Sequence, residues 1–466
     1  MPNRSDKKSN FFCQHCGHES SRWMGFCSAC GERTPLVEAP RVINRAKSFN
    51  WTSDVQVHPT QLSLVDTKDE ERISLGLQEV DRVLGGGLVR GSLVLFAGEP
   101  GVGKSTLLLQ SLACVSSQGN TVLYVSGEES DRQIKLRSER LGISGDRIFL
   151  LPETNVDLIL INLEQIRPSV AVVDSVQTLF TEDAQSGPGS VTQVRECSLR
   201  LMRWGKATST PLLLAGHVTK DGTIAGPRVL EHMVDVVLYL EGENLGDYRL
   251  LRSTKNRFGS TNEVAMLQMS GRGIEEVLDP SKVLLEERSP ITVGSAVVPI
   301  LEGSRPILVE IQALTAPSTM PTPRRTANGV DYNRMMMVSA VLSRRSGLNL
   351  SNQDVITNVA GGIRITEPAA DLGLALAIAS SFKNSPLKPE LAAVGEVGLS
   401  GEIRSAPHME RRLREASRLG FKHCVIPASS QSKIAQLDGM EYIFAPNLST
   451  AIEHSLLKRI KDFGPE

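Results

Sequence analysis

The sequence predicts an α/β fold, with a sheet of apolar strands covered by helices on both faces. Three observations predict it: a phosphate-loop pattern, the strand and helix on either side of it, and the run of apolar strands that follows. The pattern is Gly98-Glu99-Pro100-Gly101-Val102-Gly103-Lys104-Ser105, which fits G-x-x-x-x-G-K-[ST]. Ser92 to Ala97 before it is apolar and β-prone, and Thr106 to Ala113 after it reads as a buried helix. Strand, glycine-rich turn and helix are what phosphate binding needs. Glycines let backbone N–H groups close around phosphate oxygens, and the helix N-terminus adds a favourable dipole. Lys104 is expected on the β/γ-phosphates, Ser105 on Mg²⁺, and Thr106 as the last residue of the nucleotide contact. The expected ligands are ATP and Mg²⁺.

The strands come next. Thr121–Val125, Ile148–Leu151, Val170–Asp174, Leu212–Gly216 and Val234–Leu240 are short apolar runs separated by helical segments. Strands this uniformly apolar belong in a sheet buried on both faces. From about Glu286 the texture changes. β-like runs at Ile291–Leu301 and Pro306–Leu314 precede helical stretches at Asp331–Ser346 and Ala369–Ser381. Pro317 to Arg325, with three prolines, reads as an exposed loop.

Composition bounds the class. The chain has 466 residues, enough for roughly three domains. Hydrophobic content of 40% and charged content of 22% are ordinary for a globular protein. No apolar run approaches a membrane span and the polar start is no signal peptide, so a cytoplasmic location without membrane contact is expected. The net charge of -1 gives no global nucleic-acid footprint, which leaves only local patches. Four of seven cysteines cluster as two C-x-x-C knuckles, Cys13, Cys16, Cys27 and Cys30. Such knuckles fit a tetrahedral Zn²⁺ site whose metal supplies the folding energy of a small ribbon. Cys114, Cys197 and Cys424 read as buried packing residues. Pro35 to Glu71 is polar and unpatterned, and reads as a linker.

Two further acids complete the candidate site. Asp174 closes the strand Val170–Val173, where a carboxylate can position Mg²⁺, although aspartate also ends strands as a helix cap. Glu128 and Glu129 sit at the end of the strand nearest the phosphate loop, and one of them can polarise the attacking water. Glu128 is the expected base; a helix N-terminal carboxylate is the plainer alternative.

At this point a resemblance becomes specific. Arg72-Ile73-Ser74-Leu75-Gly76, Leu84-Gly85-Gly86-Gly87-Leu88 and the phosphate loop resemble the RecA-type ATPases. With the cysteine knuckles in front and Lys255-Asn256-Arg257-Phe258-Gly259 behind, the chain is similar to the bacterial RadA (Sms) DNA repair family. Its third region is similar to the proteolytic domain of Lon. The resemblance implies a zinc ribbon at 1–40, a linker at 41–69, a RecA-like ATPase at 70–285 and a Lon-protease-like α+β domain at 286–466. It implies a hexameric ring acting as an ATP-driven DNA motor (helicase or branch migration) on single-stranded and branched DNA. A recombinase of the RecA kind is the implied partner, with a nucleoid-associated location. Lys255 and Arg257 would act across a subunit interface on a neighbour's phosphates; two apart on a strand, they would share a face.

The DNA contacts follow the same resemblance. Thr181–Thr192 and Val218–Val229 correspond to channel-facing loops, with Lys220 and Arg228 as phosphate partners. Arg411, Arg414 and Arg418 share a helical face that reads either as solvated or as DNA-facing. An ATP-dependent serine protease is the rival function. The run Pro368-Ala369-Ala370-Asp371-Leu372-Gly373 lacks the Lon serine, and Met409-Glu410-Arg411-Arg412 lacks its lysine. Ser380 and Ser381 with Lys383 fall about two turns too late. A third reading is a RecA-like regulatory ATPase acting on protein alone.

Overall fold

The computed structural model of the chain describes residues 72–457, except 185, 218–229, 243–245 and 290, and scattered residues between 11 and 63. The four knuckle cysteines, Lys220 and Arg228 lie outside the described residues. The chain forms two compact units, 1–59 and 60–466. In the first, β1 (Phe11–Phe12), β2 (Glu19–Ser20) and β3 (Val37–Glu38) make a small antiparallel sheet in the order β2-β1-β3.

The second unit holds a nine-stranded sheet. Its parallel part comprises β4 (Leu93–Gly98), β5 (Val122–Ser126), β6 (Ile148–Pro152), β7 (Val170–Asp174), β8 (Leu212–His217) and β9 (Val236–Glu241). Antiparallel β10 (Tyr248–Asn256), β11 (Val264–Ser270) and β12 (Gly273–Glu276) extend it, and the order is β12-β11-β10-β9-β4-β8-β7-β5-β6. The five expected strands are present, each shifted by at most two residues at either end. β9 starts later than the apolar run suggests because Asp235 is spent elsewhere: its carboxylate accepts from Leu93 N at 3.1 Å, tying off the start of β4. Leucine and valine dominate the central strands, and β4, β5 and β7 are buried along their whole length. That burial requires cover on both faces. Helices α1 (Gln78–Leu84), α2 (Lys104–Ser117), α3 (Asp131–Arg140), α4 (Val156–Ile166) and α5 (Val191–Thr208) provide it, and α2 buries Leu107, Leu108 and Leu112 against the sheet.

A second sheet of seven strands follows. It contains β13 (Ser295–Glu302), β14 (Arg305–Pro317), β15 (Arg325–Asn328), β16 (Gln353–Val359), β17 (Leu391–Ala393), β20 (His423–Pro427) and β21 (Glu441–Ala445) in the order β15-β16-β14-β13-β17-β20-β21. The two-stranded β18 (Glu396–Val397) and β19 (Ile403–Arg404) stand apart. Around the seven strands lie α6 (Pro280–Leu285), α7 (Tyr332–Arg345), α8 (Asp371–Lys383), α9 (Met409–Arg418) and α10 (Leu448–Ser455). Helix α8 is buried through its first ten residues, so it is the core helix of this half. The second core takes in Leu250, Val264 and Met266 from β10 and β11. Arg252 on β10 bonds Glu302 on β13 at 2.7 Å, and Arg305 reaches Glu79 of α1 at 2.5 Å. The two sheets therefore share apolar and ionic contacts. Cys197 and Cys424 are buried as expected, whereas Cys114 is half-buried. Among the described residues, no helix is long and apolar enough to cross a membrane.

Candidate nucleotide site and its distant cations

The phosphate loop connects β4 to α2, and its glycines have local reasons. Gly103 has φ 113°, and a Cβ there would lie 2.5 Å from Met269 Cε. At Gly98 a Cβ would meet the Leu240 carbonyl at 2.6 Å, because β9 packs alongside. A side chain at either position would displace the backbone that has to face the phosphates. Lys104 opens α2 and is 3% exposed, with Nζ donating to the carbonyls of Gly98 and Glu99, each at 2.9 Å. Burial pulls its ammonium down to about 8, opposed by the fields of Asp174, Glu128 and Glu99.

Glu128 follows β5, which is not a sheet neighbour of β4; β8 and β7 stand between them. The carboxylates nevertheless reach the loop's field, because all four strands are parallel and end at the same edge. That edge is where α/β sheets collect their ligands. Glu128 is half-exposed: Ser175 Oγ donates to its Oε1 at 2.6 Å, and His217 Nε2 lies 3.3 Å from the same oxygen. Glu129 instead pairs with Arg137 of α3. A carboxylate already neutralised by a guanidinium makes a poor base, so the geometry favours Glu128. Asp174 ends β7 at 7% exposure, and its Oδ2 accepts from Tyr124 OH at 2.5 Å. The hydroxyl of Ser105 and the carboxylate of Asp174 are hard oxygen donors of the kind Mg²⁺ takes.

Sequence reasoning missed Tyr124, Ser175 and His217. Each leaves a faint signal: a hydroxyl inside an apolar strand, a serine just after the key aspartate, and a histidine at the end of a strand.

Lys255 and Arg257 lie away from the phosphate loop, on the side of the sheet toward the Leu93 end of β4. Asn256 and Lys255 pair with Val236 and Val237 of β9, which pair in turn with Val94 and Leu95 of β4. Arg257 N bonds the Asp235 carbonyl at 3.2 Å, and its guanidinium reaches Asp235 Oδ1 at 3.1 Å. The phosphate loop starts from the opposite end of β4, at Gly98. Through the ladder Lys255 is level with Leu95, three residues or about 10 Å along β4 from Gly98, and Arg257, beside Asp235, is level with Leu93, about 17 Å from it. Lys255 Nζ donates to the Glu231 carbonyl at 2.6 Å. A bulge between Ser253 and Lys255 interrupts the alternation, and Arg257 lies past the end of the strand. Both cations still turn toward the Glu231–Asp235 segment.

The first candidate DNA loop is pinned rather than flexible. The buried Gln193 donates Nε2 to the carbonyls of Thr181, Ala184 and Ser186 at 2.8 to 3.0 Å, and Arg200 bonds Asp183 at 2.6 Å. Its described residues include two acids, Glu182 and Asp183, and no base, which ill suits phosphate contact. On α9, Arg411, Arg414 and Arg418 are exposed on one face. Arg418 is bound to Asp279 at 2.7 Å and to Glu415, while Arg414 only approaches Glu410 at 3.4 Å.

Among the described residues, no serine–lysine pair forms in the second sheet's half. Ser380 Oγ accepts from Gly294 N and donates to the Ser385 carbonyl; Ser381 Oγ accepts from Thr315 N; Lys383 is exposed. Asp371, at the serine-bearing turn of the Lon resemblance, is held by Arg334 at 2.9 and 2.5 Å. Arg412, near its lysine, is 1% exposed and bonds both Glu367 oxygens at 2.7 and 2.6 Å.

A family model described as "AAA domain" matches residues 58–223, and one described as "Subunit ChlI of Mg-chelatase" matches residues 328–430. A protein of Bacillus subtilis (strain 168) named "DNA repair protein RadA" is 48% identical over 454 residues, covering 96% of this chain and 99% of its own. Proteins of the same name from Halalkalibacterium halodurans and Listeria monocytogenes are each 46% identical. They cover 97% and 94% of this chain, and 99% and 97% of their own lengths. With such identity running almost from end to end, the chain belongs to the RadA family of DNA repair proteins.

Proposed function

We propose that the chain is an ATP-driven DNA motor of recombinational repair, working as a ring of identical subunits with nucleotide bound between neighbours. The observation that carries this is the placement of its cations. Lys104, Ser105, Asp174 and Glu128 gather at one end of the parallel strands, while Lys255 and Arg257 turn away from it, toward the Glu231–Asp235 segment by the Leu93 end of β4. A cation kept away from its own phosphates is suited to a neighbour's, where it stabilises the charge of the transferring phosphoryl group. Lys104 holds the phosphates, Ser105 and Asp174 hold Mg²⁺, which supplies charge neutralisation when bound, and Glu128 polarises the attacking water. Ser175 and His217 hold Glu128 in place.

Several finer readings belong to the same proposal. Residues 70–285 form the RecA-like motor. The four knuckle cysteines hold Zn²⁺ in a ribbon that meets a recombinase, and 286–466 is a Lon-like scaffold without protease chemistry. Single-stranded and branched DNA is the expected track, met by the 218–229 loop and by Arg411 and Arg414; Arg418 is committed to Asp279. The test is ATP turnover with and without single-stranded DNA. Stimulation of several fold supports the motor. Turnover indifferent to DNA favours a regulatory ATPase acting on protein, and casein cleavage would revive the protease.

A further inference from the structure

The acid at the end of β7 does not stand alone. β5 and β7 are parallel neighbours in which Ser126 pairs with Asp174 and Tyr124 with Val172. Tyr124 lies two residues before Ser126, so it shares the face of Asp174 and meets it along the diagonal of the ladder. The tyrosine is fully buried, and its hydroxyl approaches Asp174 Oδ2 at 2.5 Å. Oδ1 receives no protein donor among the described residues. A hydroxyl in the middle of the strand Val122-Leu123-Tyr124-Val125-Ser126 costs desolvation that phenylalanine would avoid, unless its bond has a use.

We propose that Tyr124 is a positioning residue for the magnesium site, orienting the Asp174 carboxylate by holding Oδ2 so that Oδ1 is left for the metal and its water. The inference rests on the reading of Asp174 as the magnesium-positioning acid. A donor on one oxygen fixes the plane of the carboxylate, the role that outer-shell partners play around bound metals. Arg137 and Glu129 stand close enough to act on the same hydroxyl through their charges, so α3 adjoins the same network.

Tyr124→Phe removes the hydroxyl and keeps the buried ring. The experiment titrates a fluorescent ATP analogue against the full-length protein, first without metal and then at rising Mg²⁺, reading binding rather than turnover. The Mg²⁺ concentration for half-maximal enhancement of binding should rise about 10-fold, with metal-free binding unchanged. An unchanged Mg²⁺ requirement overturns the inference. An equal loss of metal-free binding also overturns it, since Tyr124 would then be only a packing residue. Asp174→Asn, run alongside, tests the underlying reading. If it keeps the full Mg²⁺ response, the assignment of Asp174 itself is wrong. If it loses the response while Tyr124→Phe keeps it, only the tyrosine's role falls.

Discussion

Lys104 combines two demands that oppose each other. In the proposed site it must be charged to hold phosphate, yet it is buried, and burial brings its ammonium down to about 8. Its charge is therefore nearly complete at pH 7, half lost near pH 8 and gone above it. A bound triphosphate favours the charged form and draws a proton in, so affinity is linked to pH. Binding of a non-hydrolysed ATP analogue should weaken about twofold from pH 7 to 8, then toward a limit of about tenfold per unit above it. Affinity flat from pH 7 to 9.5 would place this ammonium outside the phosphate site. The phosphate loop and Asp174 were legible in the sequence because each is one contiguous segment with a fixed local geometry. Tyr124, Ser175 and His217 were not, because their partners come from strands that become neighbours only after the chain crosses the sheet. Glu128 was legible as an acid near the site, but its preference over Glu129 depends on Arg137, which reaches back from the next helix.

Among the elements, α9 is the one whose sequence misleads most. Its arginines suggest one basic surface, but the helix divides them. Arg411, Arg414 and Arg418 face solvent, whereas Arg412 is buried and bonds Glu367 together with the carbonyls of Pro299 and Pro407. Helical spacing put Arg411, Arg414 and Arg418 on one face, but the partners that bury Arg412 lie far along the chain and were invisible. Arg412 joins α9 to β13 and to the turn before α8. Arg412→Ala would leave Glu367 without its guanidinium partner and should cost about 3–5 kcal/mol in urea unfolding. Arg412→Met with Glu367→Gln, which removes both charges, should cost much less. Equal losses in the two variants would mean that packing, not the ion pair, holds the helix. β10 gives the complementary lesson. A basic motif after an apolar strand was readable, yet its position away from the phosphate loop follows only from the register with β9 and β4.

At the scale of the whole molecule, the central claim is that each subunit carries two halves of different sites. The sequence disclosed the phosphate loop and the Lys255–Gly259 motif but not their separation, which the sheet order and register set. Mixing two variants tests this directly. Lys104→Ala lacks the phosphate-binding half and keeps Arg257; Arg257→Ala lacks the cation and keeps Lys104. Each variant alone should bind partners normally and hydrolyse ATP at least 10³-fold more slowly than the parent, the scale of a cation supplied in trans. In a random mixture, about a quarter of the head-to-tail interfaces join the two intact halves. ATP turnover measured on co-assembled mixtures should therefore recover to a substantial fraction of the parental rate. Recovery of that kind is the predicted result, whereas co-assembled mixtures as inactive as the single variants would contradict a site shared between subunits.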